Sequence, residues 1–427
     1  MHTNIPAIAG VPIEFILFAA VLAGVALFHH HSLRVALIGL AAITLYKIAF
    51  SSFHGSAGLG GLVAHLGKEW VLIVNLLLLI VGFALLARHF EASRLPLLLP
   101  SLLPDDWKGG FAMLVVVFVL SSFLDNIAAA MIGGTMATAL YRGKVHVGFL
   151  AAIVAASNGG GSGSVVGDTT TTMMWIDGVR PGQVFEAYIA AIPALLFFGV
   201  IAARQQHAFQ PIMKDSPAGI TVDKARLGVV AAVLAAAIAA NVLGQTKGGA
   251  WLNQLPAIGL AVWAALLLFA PAARPDWSVL PSATRGGIFL VSLVLSASMM
   301  PIEALPAASW RVALGLGFVS AVFDNIPLTA LALHQGGYDW GFLAYAVGFG
   351  GSMIWFGSSA GVALSSMFPQ ARSVGAWLKG GWHVAVGYVI GFACLLLVLG
   401  WHPDAPHKRG AAAVPVVAPA EAASASR

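Results

Sequence analysis

The chain carries a Gly- and Ser/Thr-rich stretch, residues 157–172, between two strongly apolar runs. Its sequence is SNGGGSGSVVGDTTTT, which contains five glycines and one carboxylate, that of Asp168. The flanking segments, FLAAIVAA and MMWI, have the composition of helices at bilayer depth. Broken, polar backbone at that depth is tolerated only where it is buried in protein or lines a water-filled cavity. The stretch therefore predicts an interrupted helix that forms one half of an ion-binding site.

The composition places the whole chain in a membrane. Of the 427 residues, 59% are hydrophobic and only 9% are charged, whereas soluble domains carry about 25% charged residues. Several apolar segments approach the ~20 residues that a membrane-spanning helix needs, and the alternating pattern of an outer-membrane barrel is missing. The basic residues lie scattered in loops, so no nucleic-acid partner is expected. We predict an all-α, multi-pass integral membrane protein whose surface contacts lipid.

Two regions differ from the simple spans. The segments with the pattern of simple spans are 12–28, 33–50, 70–88, 184–203, 227–243, 255–270, 285–300 and 375–400. By contrast, 110–176 and 308–366 are each interrupted at an Asp-Asn pair and again at a Gly/Ser stretch. That order is typical of a re-entrant hairpin followed by a discontinuous helix. With two hairpins, most Lys and Arg residues fall on one side of the membrane, which should be cytoplasmic.

The predicted organisation has five parts. They are N-terminal scaffold helices at 1–109, a first core at 110–203 (hairpin 110–140, broken helix 146–176), further scaffold helices at 204–307, a second core at 308–400 (hairpin 308–336, broken helix 341–366 and a last helix), and a disordered Ala/Pro-rich tail at 401–427.

The two core regions repeat the same pair of elements in the same order. The tripeptide Asp-Asn-Ile occurs at 125–127 and at 324–326, and the pattern GGS-x4-G recurs at 160–167 and 350–357. After the second element, Asp168 in the first copy corresponds to Ser358 in the second. An ordered pair of elements that occurs twice is far more specific than a lone Asp-Asn pair. We therefore expect two halves of one site, alike in backbone but not in charge.

Acidic and hydroxyl side chains at both interruptions could supply oxygen ligands. Asp125 and Asp324 could instead merely cap helices, but a carboxylate at the bilayer centre costs at least about 2.5–3.5 kcal/mol. Thr171 and Thr172 should bond to helix carbonyls. The expected cation- and proton-binding side chains are Asp125, Asn126, Asp168, Thr169, Thr170, Asp324, Asn325, Ser352 and Ser358. Backbone groups should be freed at Asn158, Gly160, Gly161, Gly167, Gly350, Gly351 and Gly357.

The charge of these motifs indicates a substrate class. Asp125, Asp168 and Asp324 have no Lys or Arg beside them in the motifs, which favours a hard cation such as Na+. A carboxylate also binds a proton, so one group can exchange the two ions. The alternative is a cation-coupled organic-anion or oxyanion carrier, because helix N-termini bind anions without basic side chains. Enzyme motifs such as HExxH and the phosphate-binding GxxxxGK loop are absent, so we expect neither an enzyme nor a cofactor.

Several stretches resemble the NhaD-type sodium/proton antiporters, part of the ion transporter superfamily that also includes citrate, dicarboxylate and arsenite carriers. They are the two Asp-Asn-Ile tips, GDTTTTMMWI, GGSMIWFGSSAGVA (350–363) and WLKGGWHVAVGYVIG (377–391). The resemblance implies an inverted repeat with two re-entrant hairpins, two broken helices and about ten spans, working by elevator-like alternating access. It assigns site roles to Asp125, Asn126, Asp168, Thr169, Asp324, Asn325, Ser352 and Ser358. The first loop, GGGSGSVVGD, lacks the bulkier aromatic-containing stretch of the family, and Ala128 stands where the second hairpin has Pro327.

The resemblance also implies a homodimer, and we expect the protein in a bacterial inner membrane. His383 on the last helix is either a proton relay or a packing histidine, and the cluster 29–31 is either a polar turn or a metal site. Glu14 and Lys47, near the ends of apolar segments, are expected at the membrane interface.

Overall fold

The computed structural model describes residues 7–8, 10–28, 31–53, 56–213, 221–244 and 247–404. His29, His30 and the predicted disordered tail beyond residue 404 lie outside the described residues. The helices of the first half are α1 (Ile13–Leu27), α2 (Ser32–Phe50), α3 (Gly58–Ala92), α4 (Leu95–Leu98), α5 (Trp107–Ser121), α6 (Asn126–Tyr141), α7 (Val147–Ser162), α8 (Thr169–Asp177), α9 (Pro181–Phe185) and α10 (Tyr188–Phe209).

The second half is also helical. Its helices are α11 (Lys224–Gly244), α12 (Ala257–Phe269), α13 (Leu280–Ser298), α14 (Trp310–Ser320), α15 (Asn325–Gln335), α16 (Trp340–Gly350), α17 (Ser359–Met367), α18 (Val374–Gly380) and α19 (Trp382–Val398). Among the described residues, strands form only two small antiparallel pairs, β1 (Ala7–Ile8) with β2 (Val11–Pro12) and β3 (Ser52–Phe53) with β4 (Ser56–Ala57). The prediction of an all-α chain therefore holds apart from these short hairpins.

Five helical segments in the described part of the chain are long and apolar enough to cross a membrane. They are Ser32–Phe50, Gly58–Ala92, Pro181–Phe209, Lys224–Gly244 and Trp277–Ser298. The pair α18 and α19 would add a sixth, with a bend of 60° at Gly381. Their length and hydropathy make the protein a multi-pass membrane protein, since ~20 apolar residues span the hydrocarbon core.

Each repeat consists of two helices joined by a tight turn, followed by a helix that stops and starts again. In the first repeat, α7 ends at Ser162 and α8 begins at Thr169. In the second, α16 ends at Gly350 and α17 begins at Ser359. Both interruptions fall on the Gly- and hydroxyl-rich segments, because glycine permits the close approaches that a broken helix requires.

Glycines pack each broken helix against the first helix of its own repeat. A Cβ built on Gly160 would lie 2.0 Å from the Phe118 carbonyl oxygen of α5. A Cβ on Gly350 would lie 2.2 Å from the Gly317 carbonyl oxygen of α14. Only glycine fits at these two equivalent contacts, so the recurring GG pair of the sequence is explained by packing.

The two repeats interlock. Helix α6 of the first repeat packs against α17 of the second, and α15 of the second packs against α8 of the first. Helices α7 and α16 also pack against each other. Scaffold helices α3 and α13 cover α8 and α15, respectively. The two interrupted segments are therefore brought together inside the protein.

Two of the predicted spans differ from the sequence-based expectation. The span predicted at 70–88 is part of the 35-residue helix α3, and the span predicted at 375–400 is bent at the Gly380-Gly381 pair. Glu14 and Lys47, predicted near the membrane interface, are buried by protein, with exposed fractions of 0% and 5%, and their depth in the membrane stays a prediction. Helix packing covers them, because the Lys47 ammonium donates to the Met299 carbonyl oxygen after α13, at 2.9 Å.

Candidate functional site

Four helix N-termini are capped by the repeated motifs. The caps are Asp125 on α6, Asp168 on α8, Asp324 on α15 and Ser358 on α17. Each side-chain oxygen accepts a backbone N–H of the first turn, as N-cap residues do. The positive end of each helix dipole thus faces an acidic or hydroxyl group. Capping explains why these residue types recur, and it leaves open a second role for the remaining carboxylate oxygens.

Asp168 is the most enclosed of the three aspartates, with 3% of its surface exposed. Its Oδ1 accepts the Thr170 backbone N–H at 3.0 Å. Its Oδ2 accepts the Asn126 side-chain amide at 3.2 Å and the Asn325 side-chain amide at 3.3 Å. No Lys or Arg among the described residues pairs with it. One carboxylate is thus held by equivalent asparagines of both repeats.

Asn158 joins the two repeats through its side chain. It is fully buried, and its Oδ1 accepts the Asn126 amide at 3.1 Å. Its Nδ2 donates to the hydroxyls of Ser352 at 3.0 Å and Ser358 at 3.1 Å. Only a backbone role was predicted for Asn158 from the sequence, so its bridging side-chain amide is a functional candidate that the sequence pattern did not indicate.

Asp125 and Asp324 are half-buried and lie beside this network. Asp324 Oδ2 accepts the Ser359 hydroxyl at 3.3 Å. Among the described residues, no three His, Cys, Asp or Glu side chains are grouped so that they could hold a metal ion. The three aspartates therefore line one region without forming a closed metal centre, and Asp168 has the most complete hydrogen-bond environment of the three.

The threonines that follow Asp168 divide into two kinds. The Thr171 hydroxyl donates to the carbonyl oxygens of Ser164 and Asp168, and the Thr172 hydroxyl to those of Val165 and Asp168. This confirms the expected bonds to carbonyls, and the partners in the loop show that these hydroxyls also fix the interruption. Thr169 is partly exposed and lines a cavity beside Asp168, whereas Thr170 is buried.

The glycines at the interruptions bring backbone segments into contact. A Cβ on Gly161 would lie 2.7 Å from the Gly167 carbonyl oxygen, and a Cβ on Gly351 would lie 2.7 Å from the Gly357 carbonyl oxygen. The same cross-loop contact therefore closes both interruptions. A role of these backbone groups as ion ligands stays a prediction.

A cavity of about 420 Å³ leads to the site from one end of the molecule. Asp168 and Asn325 line its inner end, and Arg88, Glu91 and the exposed Ser282 line its outer end. By the distribution of basic loops, this outer end lies on the predicted cytoplasmic side. Water and small ions thus have a route to the region of Asp168.

Charged groups meet at the mouth of this cavity. Arg88 pairs with Glu91 at 2.6 Å and with Asp276 at 3.1 Å, and all three are substantially exposed. Hydrogen bonds from the Ser278 hydroxyl and from Arg88 lower the pKa of Asp276 below its usual value. The mouth therefore carries two carboxylates and one guanidinium, and exposed pairs of this kind contribute little to stability.

His383 lies away from the interruptions. Its side chain is fully buried, and Nε2 is 3.2 Å from the Gln205 Oε1. It follows the bend between α18 and α19, where it packs close to α10. A proton-relay role of His383 stays a prediction.

Comparisons with known proteins give one partial match. No protein-family model matches the chain. A curated protein from Arabidopsis thaliana, "Sodium/proton antiporter 1", is 30% identical over 149 residues. The match covers 29% of this chain and 24% of that protein, so the chain aligns with about a quarter of the length of the relative. What the chain shares with it is therefore a similarity over part of both proteins.

Proposed function

We propose that the protein is a secondary transporter that exchanges Na+ or Li+ for protons, with Asp168 as the group that binds either ion. The observation that carries this proposal is the buried Asp168 carboxylate, which has amide and backbone donors but no basic partner. A buried carboxylate without a counter-charge is costly, and binding a cation or a proton removes that cost. The partial similarity to a sodium/proton antiporter supports the same chemistry.

Access to Asp168 favours exchange with the cytoplasm in this conformation. The 420 Å³ cavity connects the carboxylate to the end of the molecule that carries Arg88 and Glu91. Alternating access would close this path and open one on the opposite side, by movement of the interlocked repeats against the scaffold helices α3 and α13. Asp125, Asp324, Thr169 and Asn126 would line the ion path, and the paired Gly/Ser segments would form its walls.

The exchange can be tested in inverted membrane vesicles that hold an acidic interior. We expect Na+ or Li+ added outside to dissipate the pH gradient, measured by the dequenching of an acridine dye, and K+ to do so much less. Asp168→Asn should abolish the response, because the amide cannot exchange a proton for a cation. The variant should still elute as a single species in detergent.

Asp339→Asn is the matched control. Asp339 is also a buried N-cap carboxylate, with 4% exposure, and it accepts backbone N–H groups of Gly341, Phe342 and His402. It lies outside the site, so its variant should retain exchange. Exchange at the wild-type rate in Asp168→Asn would reduce Asp168 to a structural cap.

A second candidate function rests on Ser358. Its hydroxyl oxygen accepts from Asn158 and from the Gly361 N–H, which occupies both lone pairs and leaves only the O–H to offer. A donor at the start of α17 suits a carboxylate or an oxyanion. A cation-coupled anion carrier of this kind would show uptake of a labelled dicarboxylate that depends on Na+, with no dissipation of the pH gradient by Na+ alone.

The remaining expectations belong to the same proposal. The transporter would need no resident cofactor, would work in a bacterial inner membrane surrounded by lipid, and would form a homodimer. Cross-linking of the purified protein in nanodiscs would measure the oligomeric state, since a monomer would leave a single band at the mass of one chain.

A further inference from the structure

A continuous chain of hydrogen bonds connects Asp168 of the first repeat to two hydroxyls of the second. The Asn126 amide group donates both to Asp168 Oδ2 and to Asn158 Oδ1. The Asn158 amide group donates in turn to Ser352 and Ser358. Asn126, Asn158, Ser352 and Ser358 are all buried, with exposed fractions of 6%, 0%, 0% and 2%. Water therefore has little access to replace any of these bonds.

Every bond in this chain points the same way. A side-chain amide has a donor end and an acceptor end, and an ionised carboxylate can only accept. Because Asp168 accepts, Asn126 presents its NH₂ group, Asn158 presents its oxygen to Asn126, and the NH₂ group of Asn158 faces the serines. Among the described residues, neither the Ser352 nor the Ser358 hydroxyl donates to a partner. The observed arrangement is thus the one that an ionised Asp168 requires.

We propose that Asn126 and Asn158 form an amide relay that couples the protonation state of Asp168 to the hydrogen-bonding direction of Ser352 and Ser358. When Asp168 Oδ2 takes a proton from water, it becomes a donor and Asn126 turns its Oδ1 toward it. Asn158 then turns by half a rotation, and the two serines donate to its Oδ1. No proton passes along the relay; only the two amide groups rotate.

The relay deepens the proposed function and rests on it, because it takes Asp168 as the proton-binding group. Reversal frees one lone pair on each serine oxygen and supplies each hydroxyl with an acceptor. Proton binding at Asp168 in the first repeat thereby changes the hydrogen bonding of Ser358 at the start of α17 in the second. The sequence provides the asymmetry this needs, since the position equivalent to Asn158 is Gly348, which has no side chain to build a second relay.

Other groups also face Asp168. Asp125 and Asp324 precede α6 and α15, and Arg88 and Glu91 of α3 lie at the mouth of the same cavity. These charges influence the titration of Asp168 equally with or without the relay. Asn325 is the important comparison, because it touches Asp168 Oδ2 as Asn126 does but has no hydrogen bond to Asn158.

Infrared difference spectroscopy on the purified, full-length protein can follow Asp168 directly. The carboxylic acid band of protonated Asp168 is the one that disappears in Asp168→Asn, and its intensity is recorded against pH. The key variant carries Ser352→Ala and Ser358→Ala together. The titration of the band is compared with and without these two serine substitutions in three backgrounds: wild type, Asn126→Ala and Asn325→Ala.

In the wild-type background, removing both hydroxyls should shift the titration of the band toward acid by about half a pH unit to one unit, the size of one neutral hydrogen bond. The direction follows because the hydroxyls gain acceptors only in the protonated arrangement. The shift should persist in Asn325→Ala and vanish in Asn126→Ala. Asn158→Leu should abolish the shift as well. The shift should persist in Ser157→Ala, because among the described residues the Ser157 hydroxyl bonds only to the Val154 carbonyl.

An unchanged titration in the serine variant, or a shift that survives in Asn126→Ala, would overturn the relay. Absence of any titrating band from Asp168 would overturn it too. The two asparagine variants cut the same chain at different links, so loss of folding in one leaves the other to decide. The infrared measurement needs no Na+, so the two proposals can fail separately. Vesicles that show no exchange would refute the proposed function alone. If the vesicles are active but the Asp168 titration does not respond to the serine substitutions, only the relay is refuted.

Discussion

At the scale of single residues, the setting of Asp168 determines what the site can do. Its oxygens receive three hydrogen bonds, yet none comes from a basic side chain. These bonds stabilise the ionised form, but they do not cancel its charge, which remains unfavourable in a buried position. The carboxylate should therefore be occupied by a proton or a cation whenever the repeats move. An antiporter needs this property, because an empty site that crossed the membrane would allow one ion to leak.

The packing of Gly160 gives a prediction at this scale. In Gly160→Ala the new methyl group would meet the Phe118 carbonyl oxygen at 2.0 Å, so α5 and α7 must separate. We expect a destabilisation of about 1–3 kcal/mol, as for other overpacked cores, and a lower apparent melting temperature in detergent.

The control for this substitution is Gly228→Ala in α11, where a Cβ would meet no described atom within 4 Å apart from its chain neighbours and its own helix backbone. Alanine is the better helix former, so this variant should melt at the wild-type temperature or slightly above it. Equal melting of the two variants would show that the close contact at Gly160 relaxes at no cost.

At the scale of secondary-structure elements, the interruption between α7 and α8 is a fixed loop. The hydroxyls of Thr171 and Thr172 reach back from α8 to the carbonyls of Ser164 and Val165. The same two hydroxyls also bond to the Asp168 carbonyl oxygen at the helix start. The run of threonines thus replaces the helical hydrogen bonds that the interruption removes, which satisfies buried backbone groups. This holds Asp168 in place while leaving its side chain free to bind.

Replacing Thr172 with the nearly isosteric valine should expose this contribution. Thr172→Val leaves the Val165 carbonyl without its hydroxyl donor, so we expect a loss of about 1 kcal/mol and weaker ion binding. The apparent melting temperature and the Na+ concentration for half-maximal exchange would measure the two effects. Thr135→Val on α6 is the control, because in the part of the chain that the structure describes this exposed hydroxyl bonds only to the Met131 carbonyl of its own helix. If both variants behave alike, the loop does not depend on the threonine.

The sequence predicted the elements better than the contacts between them. The glycine- and hydroxyl-rich composition predicted an interruption in the right segment but not where the helix stops, since α7 continues through Gly159, Gly160 and Gly161 to Ser162. The Gly380-Gly381 pair could also have predicted the bend between α18 and α19, but the apolar residues on both sides of it favoured one continuous span. The bridging role of Asn158 was not predictable, because it joins Ser352 and Ser358 across 194 and 200 residues. The burial of Glu14 likewise depends on tertiary packing around α1.

At the scale of the whole molecule, the repeats cross so that each contributes a helix to the other's broken segment. Helix α6 supports α17, and α15 supports α8. A displacement of either repeat would thus be transmitted to both halves of the site. The scaffold helices α3 and α13 form the other wall of the cavity that reaches Asp168. This division into a core and a wall is what a transporter needs in order to expose one site to two sides.

Cysteine labelling in intact cells tests the orientation that follows from the basic loops. In a Cys394→Ala background, Ser282→Cys at the cavity mouth should be protected from an impermeant maleimide until inverted vesicles expose it. Gly182→Cys, at the opposite end and exposed, should react in intact cells. Reaction of both positions from the same side would contradict the assignment of the cavity to the cytoplasm.

The single buried carboxylate at Asp168, matched by the uncharged Ser358, also has an electrical consequence. If Asp168 alone carries the exchanged ions, each cycle moves one positive charge inward and one outward. No net charge then crosses the bilayer, so a membrane voltage, worth about 2.3 kcal/mol per charge at 100 mV, does no work on the cycle. Transport driven by voltage would require a second proton on Asp125 or Asp324. With a hydroxyl in place of the second carboxylate, a cycle that uses Asp168 alone would be powered by the cell's ion gradients and not by its voltage.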